Sequence, residues 1–371
     1  MRPSLSPPLQ QVDRTFVMAG RRRLSYFSGC DYFRLSSHPK VLQAVNEGMR
    51  RFGLNVAASR LTTGNHVLYD KLEERLCDFF NAEEALLLPS GYCGASVAAQ
   101  SLAGQFSHAL LDSRAHAALI DAAVFLECPV LRFQHGNVES LKQVVSRCGQ
   151  HARVILLTDG MFSHDGSVAP LRLYRQALPK DAWLLVDDAH GAGVLGETGK
   201  GSLEHAGVSR YRTVQCVTLS KALGVYGGAL LCSKSFRAGV IKNSRQFTGT
   251  TPIPLPLVNG AIESLGLLAS DPAFLVRLRN NSNFVKESLI QAGLNLASTP
   301  GPIIRIVPRS TSAAKQVSAA LLRAGVFPLI TRYLDRHTTG YFRWVISSEH
   351  TRSQLEALCK VLGRHAALFE T

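Results

Sequence analysis

No stretch of the 371-residue sequence stays apolar for the eighteen or so residues that a membrane-crossing helix needs, so a transmembrane span is not expected. The start, MRPSLSPPLQQ, has no apolar core of the kind that marks a secretory signal. Eight cysteines are present (Cys30, Cys77, Cys93, Cys128, Cys148, Cys216, Cys232 and Cys359), but none form a CxxC pair. Their scatter argues against a disulfide framework or a zinc site, so no metal is expected; it points to reduced, mostly buried thiols in a cytoplasmic protein. Internal repeats and low-complexity tracts are missing too. Acidic residues are scarce: 27 Asp and Glu against 41 Lys and Arg leave a formal charge of +14. Nucleic acid is one partner for such a charge. However, the densest basic run is only Arg21–Arg23, and no motif interleaves bases with aromatics, so nucleic acid is not expected. An anionic small molecule, such as a phosphorylated cofactor or a CoA thioester, or an acidic carrier protein suits the charge equally well.

What is present is a rhythm. Short apolar runs at 85–88, 108–111, 130–133, 154–157, 183–186, 213–217 and 229–231 read as buried strands. Between them, 41–52, 69–80, 94–102, 116–125 and 138–147 read as helices. Alternation of this kind predicts an α/β fold with a mostly parallel central sheet and helices on both faces. Residues 257–280 read as helical, leaving the large domain. A smaller α+β region follows, with strands near 303–307, 326–330 and 342–346 and helices near 313–324 and 352–369. The expected organisation is an irregular N-terminal arm over 1–40, a large domain over 41–270 and a small C-terminal domain over 271–371.

The chemistry gathers around Lys221 in TLSKALGVYGG, just past the strand at 213–217. Ligands of open α/β sheets bind beyond the carboxyl ends of strands, and a lysine there is either a solvated surface group or a Schiff-base residue. WLLVDDAHGAGVLGETGKG supplies Asp187 and His190 at another strand end, where a carboxylate is either a helix cap or a charge partner for a ligand. A carboxylate opposite a Schiff-base lysine suits pyridoxal phosphate, because it keeps the pyridine nitrogen protonated. Ser90-Gly91-Tyr92 opens a helix, a setting that binds phosphate. His116 follows one strand and Ser163 another; each can reach a planar ring, and each can equally be a local structural residue.

With these five stretches in order, the chain resembles the α-oxoamine synthases, pyridoxal-phosphate enzymes of fold-type I. The segments SGYCG, AHAALIDA, TDGMFSHDGSVAPL, VDDAHGAGVLGETGKG and TLSKALGVYGGALL carry the resemblance, and their wording is nearest to the 8-amino-7-oxononanoate synthase branch. It implies that Lys221 anchors the cofactor and later moves the substrate's α-proton. Asp187 would pair with the pyridine nitrogen, His190 and Ser163 would meet the phenolic oxygen, and His116 would stack on the ring. Gly91, Tyr92 and Thr218 would hold the phosphate, helped by Thr248 or Thr250 from the second subunit of a homodimer. Arg343 would bind the amino-acid carboxylate, where its alternative is a surface ion pair. The implied reaction joins an amino acid, alanine first, to an acyl thioester of CoA or a carrier protein, with loss of carbon dioxide.

Some positions depart from the family. Cys30 and Arg34 in GCDYFRL replace an asparagine and a glycine, Tyr69 a histidine, and Ala95 an asparagine. TRYLDRHTTGYFRW fills the place of a proline-rich loop. These changes fall where substrates enter. They leave open glycine with acetyl-CoA, serine with a long acyl chain, an aminotransferase or decarboxylase of the same fold, and a non-catalytic partner subunit.

Overall fold

In this computed structural model the described residues are 8–331 and 339–370. Three short strands, β1 (Gln10–Gln11), β2 (Phe16–Ala19) and β3 (Arg22–Ser25), form an antiparallel sheet at the N-terminus. This corrects the reading of 1–40 as irregular. The turn at Gly20, with φ 60°, joins strands of four residues whose basic side chains face water. Only Val17 and Leu24 carry the buried signal, too little for periodicity to register.

Seven strands build the main sheet: β4 (Glu84–Leu88), β5 (His108–Asp112), β6 (Val130–Phe133), β7 (Val154–Asp159), β8 (Trp183–Asp187), β9 (Thr213–Thr218) and β10 (Gly228–Cys232). Their order is β4-β10-β9-β8-β7-β5-β6. β10 runs against β4 and β9, whereas the pairs β5–β6, β5–β7, β7–β8 and β8–β9 are parallel. All strands except β10 therefore present their carboxyl ends at one rim. Alternation along β4 shows why both faces are covered. Leu86 and Leu88 pack with Ala95, Ala98 and Leu119 on one side, while Ala85 and Leu87 pack with Leu72 and Leu76 on the other. β7 and β9 are buried at every residue, as central strands covered twice should be.

The helix expected over 257–280 is two, Leu255–Ser270 and Ala273–Gln291, broken at Asp271-Pro272. Proline lacks the N–H that would continue the ladder. The C-terminal region closes on a three-stranded sheet of β11 (Ile303–Ile306), β12 (Ile330–Thr331) and β13 (Tyr341–Val345), in the order β11-β13-β12. The strand expected at 326–330 shrinks to its last residue plus Thr331; Val326 makes an isolated bridge to Ser25 instead. The last helix stops at Arg364, before the expected 369. Trp344 stacks on Phe342, with centroids 5.6 Å apart and planes 5° apart, in a core that also takes in Phe27. The segment after β3 thus belongs to both regions: the Val345 N–H donates to the Phe27 carbonyl at 2.8 Å.

Candidate active site

At the rim, a cavity of about 250 Å³ is lined by residues from five strand ends, among them Gly91, His116, Asp159, Asp187, Thr218 and Lys221. Tyr92 and His190 line it as well. Sheet register explains the meeting. Asp159 and Asp187 are paired across β7–β8, and Gly228 of β10 is paired with both Leu88 and Thr218, which sets the turn after β4 against the end of β9.

The floor is backbone. A Cβ on Gly91 would lie 2.6 Å from Thr218 Cβ, and one on Gly228 would lie 2.6 Å from Gly91 Cα, so these three segments pack with no room for a side chain at either glycine. Gly91 opens the helix Tyr92–Ser101, and no side chain caps it. Ser90 Oγ accepts from Tyr92 N at 3.2 Å, and this N-terminus faces the cavity where a phosphate would sit. Thr218 Oγ1 accepts from Ser220 N, which shapes the turn leading to Lys221.

Burial pulls the Lys221 amine below its ordinary pKa, opposed by Cys30, Asp187 and Asp159. That shift favours the neutral amine, the form that attacks a carbonyl. Asp187 Oδ1 accepts from Ala189 N at 3.1 Å in a local turn; no helix begins there, so it is not a helix cap, and its side chain lines the cavity. Burial holds His190 well below its ordinary pKa, with Lys221, Arg343 and His116 adding to the effect. Its ring is therefore neutral. The buried Tyr32 phenol, pushed well above its usual range by burial, keeps its proton and bonds His190 Nδ1 at 2.6 Å. That occupies Nδ1 and leaves Nε2 for a ligand. His116 caps the helix Ala117–Ala123 through Nδ1, and its own N–H donates to Asp159 Oδ2 at 2.9 Å. Burial, then the neighbouring Asp187 charge, pushes the Asp159 carboxyl well up.

Ser163, Thr248, Thr250 and Arg343 do not line this cavity. The Ser163 carbonyl accepts from Arg343 Nε at 2.6 Å, and Arg343 Nη2 reaches Cys30 Sγ at 3.6 Å. Among the described residues Arg343 has no ion pair, so the surface-pair alternative is not what its strand uses. Thr248 ends the short helix Arg245–Thr248 and bonds back to the Arg245 carbonyl.

Sequence reasoning missed Tyr32 and Asp159 as site residues. Asp159 stood beside a strand end already singled out for Ser163, and its position before Gly160 was the available signal. Tyr32 had none, because it lies in a loop 158 residues from the histidine it bonds.

The chain matches the family described as aminotransferase class I and II over residues 29–362. It is 34% identical to the 8-amino-7-oxononanoate synthase of Thioalkalivibrio sulfidiphilus, over 94% of this chain and 89% of that protein. The chain belongs to this family, in its α-oxoamine synthase group. Another member of the group, 8-amino-7-oxononanoate synthase 1 of Bacillus subtilis, is 30% identical over 96% of this chain and 92% of its own length. Among solved structures, serine palmitoyltransferase of Sphingomonas wittichii superposes with a TM-score of 0.90 at 25% identity, covering 98% and 93% of the two chains. An 8-amino-7-oxononanoate synthase from Francisella tularensis gives 0.79 at 23%, covering 92% and 97%. These confirm the expected fold-type I architecture.

The residues present fit the cofactor of α-oxoamine synthases. A pyridoxal phosphate asks for an amine, a carboxylate, a neutral hydrogen-bond donor and a phosphate seat, and this cavity offers Lys221, Asp187, His190 and the turn at Gly91. Asp188, by contrast, faces away and is structural. Its Oδ2 accepts from Ser202 N at 2.8 Å and Gln215 Nε2 at 2.6 Å, fastening the glycine-rich loop that follows β8.

Proposed function

We propose that this protein binds pyridoxal phosphate through Lys221 and joins an amino acid, alanine first, to an acyl thioester, releasing the thiol carrier and carbon dioxide, as an 8-amino-7-oxononanoate synthase does. The observation that carries this reading is the single cavity in which Lys221 and Asp187 stand with His190 and the Gly91 turn. When bound, pyridoxal phosphate supplies an electron sink for the substrate's α-carbon.

The protein's own residues then divide the work. Lys221 is the covalent anchor for the cofactor aldehyde and, once displaced by substrate, the base for the α-proton; burial lowers its pKa in the direction both roles need. Asp187 would face the ring nitrogen and favour its protonated form. His190 would meet the phenolic oxygen from Nε2, because Tyr32 occupies Nδ1. His116 would cover the ring, and the turn at Gly91 would hold the phosphate, with Thr218 beside it. Arg343 binds the amino-acid carboxylate; its planar fork accepts both oxygens, and its Nη1 is left uncommitted by Ser163 and Cys30. Ser163 reaches this subsite through its carbonyl.

A homodimer completes the reading. Neither Thr248 nor Thr250 lines the cavity of its own chain, which supports a role for one of them on the phosphate of a second copy. A cytoplasmic setting agrees with eight free cysteines and with the lack of any membrane-length apolar helix among the described residues. The surplus of positive charge suits an anionic thioester, CoA or acidic carrier.

The test pairs alanine, glycine and serine in turn with acetyl, pimeloyl and palmitoyl thioesters, and follows thiol and carbon dioxide together. Stoichiometric release of both with alanine and a pimeloyl thioester supports the proposal. Turnover of the amino acid with a keto acid, and none with any thioester, points to an aminotransferase instead.

A further inference from the structure

Away from the cavity, a closed ring of polar side chains ties together the loops that follow β5, β6 and β7. Asp112, fully buried at the end of β5, lies 3.1 Å by Oδ1 from Nδ1 of His135. His135 Nε2 lies 3.1 Å from Ser167 Oγ. Ser167 Oγ is 2.6 Å from Asp165 Oδ1, and Asp165 Oδ2 pairs with Arg114 at 3.0 Å. The Arg114 N–H returns to Asp112 Oδ1 at 2.9 Å.

Each member of the ring is held from more than one side. Asp112 also accepts from Gly136 N and the Tyr174 hydroxyl, and Asp165 Oδ1 takes both the N–H and the hydroxyl of Ser167. His135 is the link between the two carboxylates, bonded to Asp112 through Nδ1 and to Ser167 Oγ through Nε2.

The ring anchors a hairpin. Ala169 N donates to the Gly160 carbonyl and Phe162 N to the Ser167 carbonyl, while Met161 and Val168 form an antiparallel bridge. At its tip, the Ser163 carbonyl seats Arg343, and His164 Nδ1 meets the Tyr341 hydroxyl of β13 at 3.0 Å. The arginine's strand thus rests on a hairpin whose own fastening to the large sheet includes His135.

We propose that His135 is a positioning residue for the amino-acid subsite: bonded to both Asp112 and Ser167, it locks the 160–169 hairpin on which Arg343 is seated. The inference rests on the reading of Arg343 as the carboxylate-binding residue.

The test uses the cofactor-loaded protein. Ser167→Ala removes the hydroxyl and Ser167→Thr keeps it. Alanine affinity is read from the change in cofactor absorbance, and cofactor affinity from reconstitution of the apoprotein. Ser167→Ala should weaken alanine roughly three- to tenfold, the effect of one lost hydrogen bond, with cofactor affinity unchanged and Ser167→Thr restoring the original value. Unaltered alanine binding in Ser167→Ala, or equal losses of alanine and cofactor affinity, would overturn the proposal. Arg343→Lys separates the premise: if that protein binds alanine normally, the carboxylate reading itself falls.

Discussion

The Tyr32 hydroxyl bonds Nδ1 of His190 across 2.6 Å, joining the segment after β3 to the loop after β8. Both side chains are buried, so the bond bears directly on which nitrogen of a neutral ring holds the proton. Tyr32→Phe leaves Nδ1 without its partner. The expected cost is about 1–3 kcal/mol of stability. Urea unfolding measures that, and a shifted absorbance of the bound cofactor reports the altered His190. Identical spectra in the variant and the parent protein would show that Tyr32 does not set the tautomer.

Lys221→Ala should abolish the absorbance band of the lysine-bound cofactor and lower turnover by at least about 10²–10⁴-fold, the share a positioned acid–base residue supplies. Unfolding midpoints of the apoproteins should stay close, since Lys221 lines a cavity and fills no core. Retention of the band would mean that another amine anchors the cofactor.

Gly91→Ala tests the backbone floor. The new Cβ meets Thr218 Cβ at 2.6 Å and Oγ1 at 2.7 Å, and neither belongs to a flexible tip that can swing aside. Displacing the turn should cost about 1–3 kcal/mol and weaken cofactor binding, measured by reconstitution of the apoprotein. Gly266→Ala is the control, because a Cβ there meets nothing within 4 Å.

The pH behaviour of Asp188 has a defined sign. Burial raises its pKa from 3.8 to about 6 in the folded protein, the hydrogen bonds from Ser202 and Gln215 acting against that rise. The folded state therefore holds a proton that the unfolded chain has released. This contribution to stability is fully present below pH 3.8 and is lost as the pH rises through about 6. Its size is about 3 kcal/mol. Asp188→Asn keeps an acceptor for Ser202 and Gln215 but cannot ionise. Across that window the stability of the parent protein should fall relative to the variant, in denaturant titrations of the two apoproteins. Parallel pH profiles would refute the assignment.

Much of this protein was legible in its sequence because it depends on local pattern. Continuous apolar runs such as VILLTD can only be strands covered on both faces, and their alternation with helices leads to the parallel sheet. Since ligands gather at the carboxyl ends of such strands, Lys221, Asp187, His190, His116 and Gly91 could be named before any coordinate was known, and all five line one cavity. The N-terminal hairpin escaped notice because its strands bury too few residues to show a period. The helical segment near 257–280 was legible, but its break at Asp271-Pro272 was not, because the apolar pattern continues across the proline.

Long-range contacts belonged to the tertiary structure alone. Sequence spacing carries no information on which loops meet once the strands are ordered β4-β10-β9-β8-β7-β5-β6. That order sets Asp159 beside Asp187, while the packing of the N-terminal segment and the C-terminal sheet around it brings Tyr32 to His190 and seats Arg343 on a carbonyl 180 residues away. A residue's type states what chemistry it can do. Its proton, its charge and its partner are set by burial and neighbours, and those exist only in the folded chain.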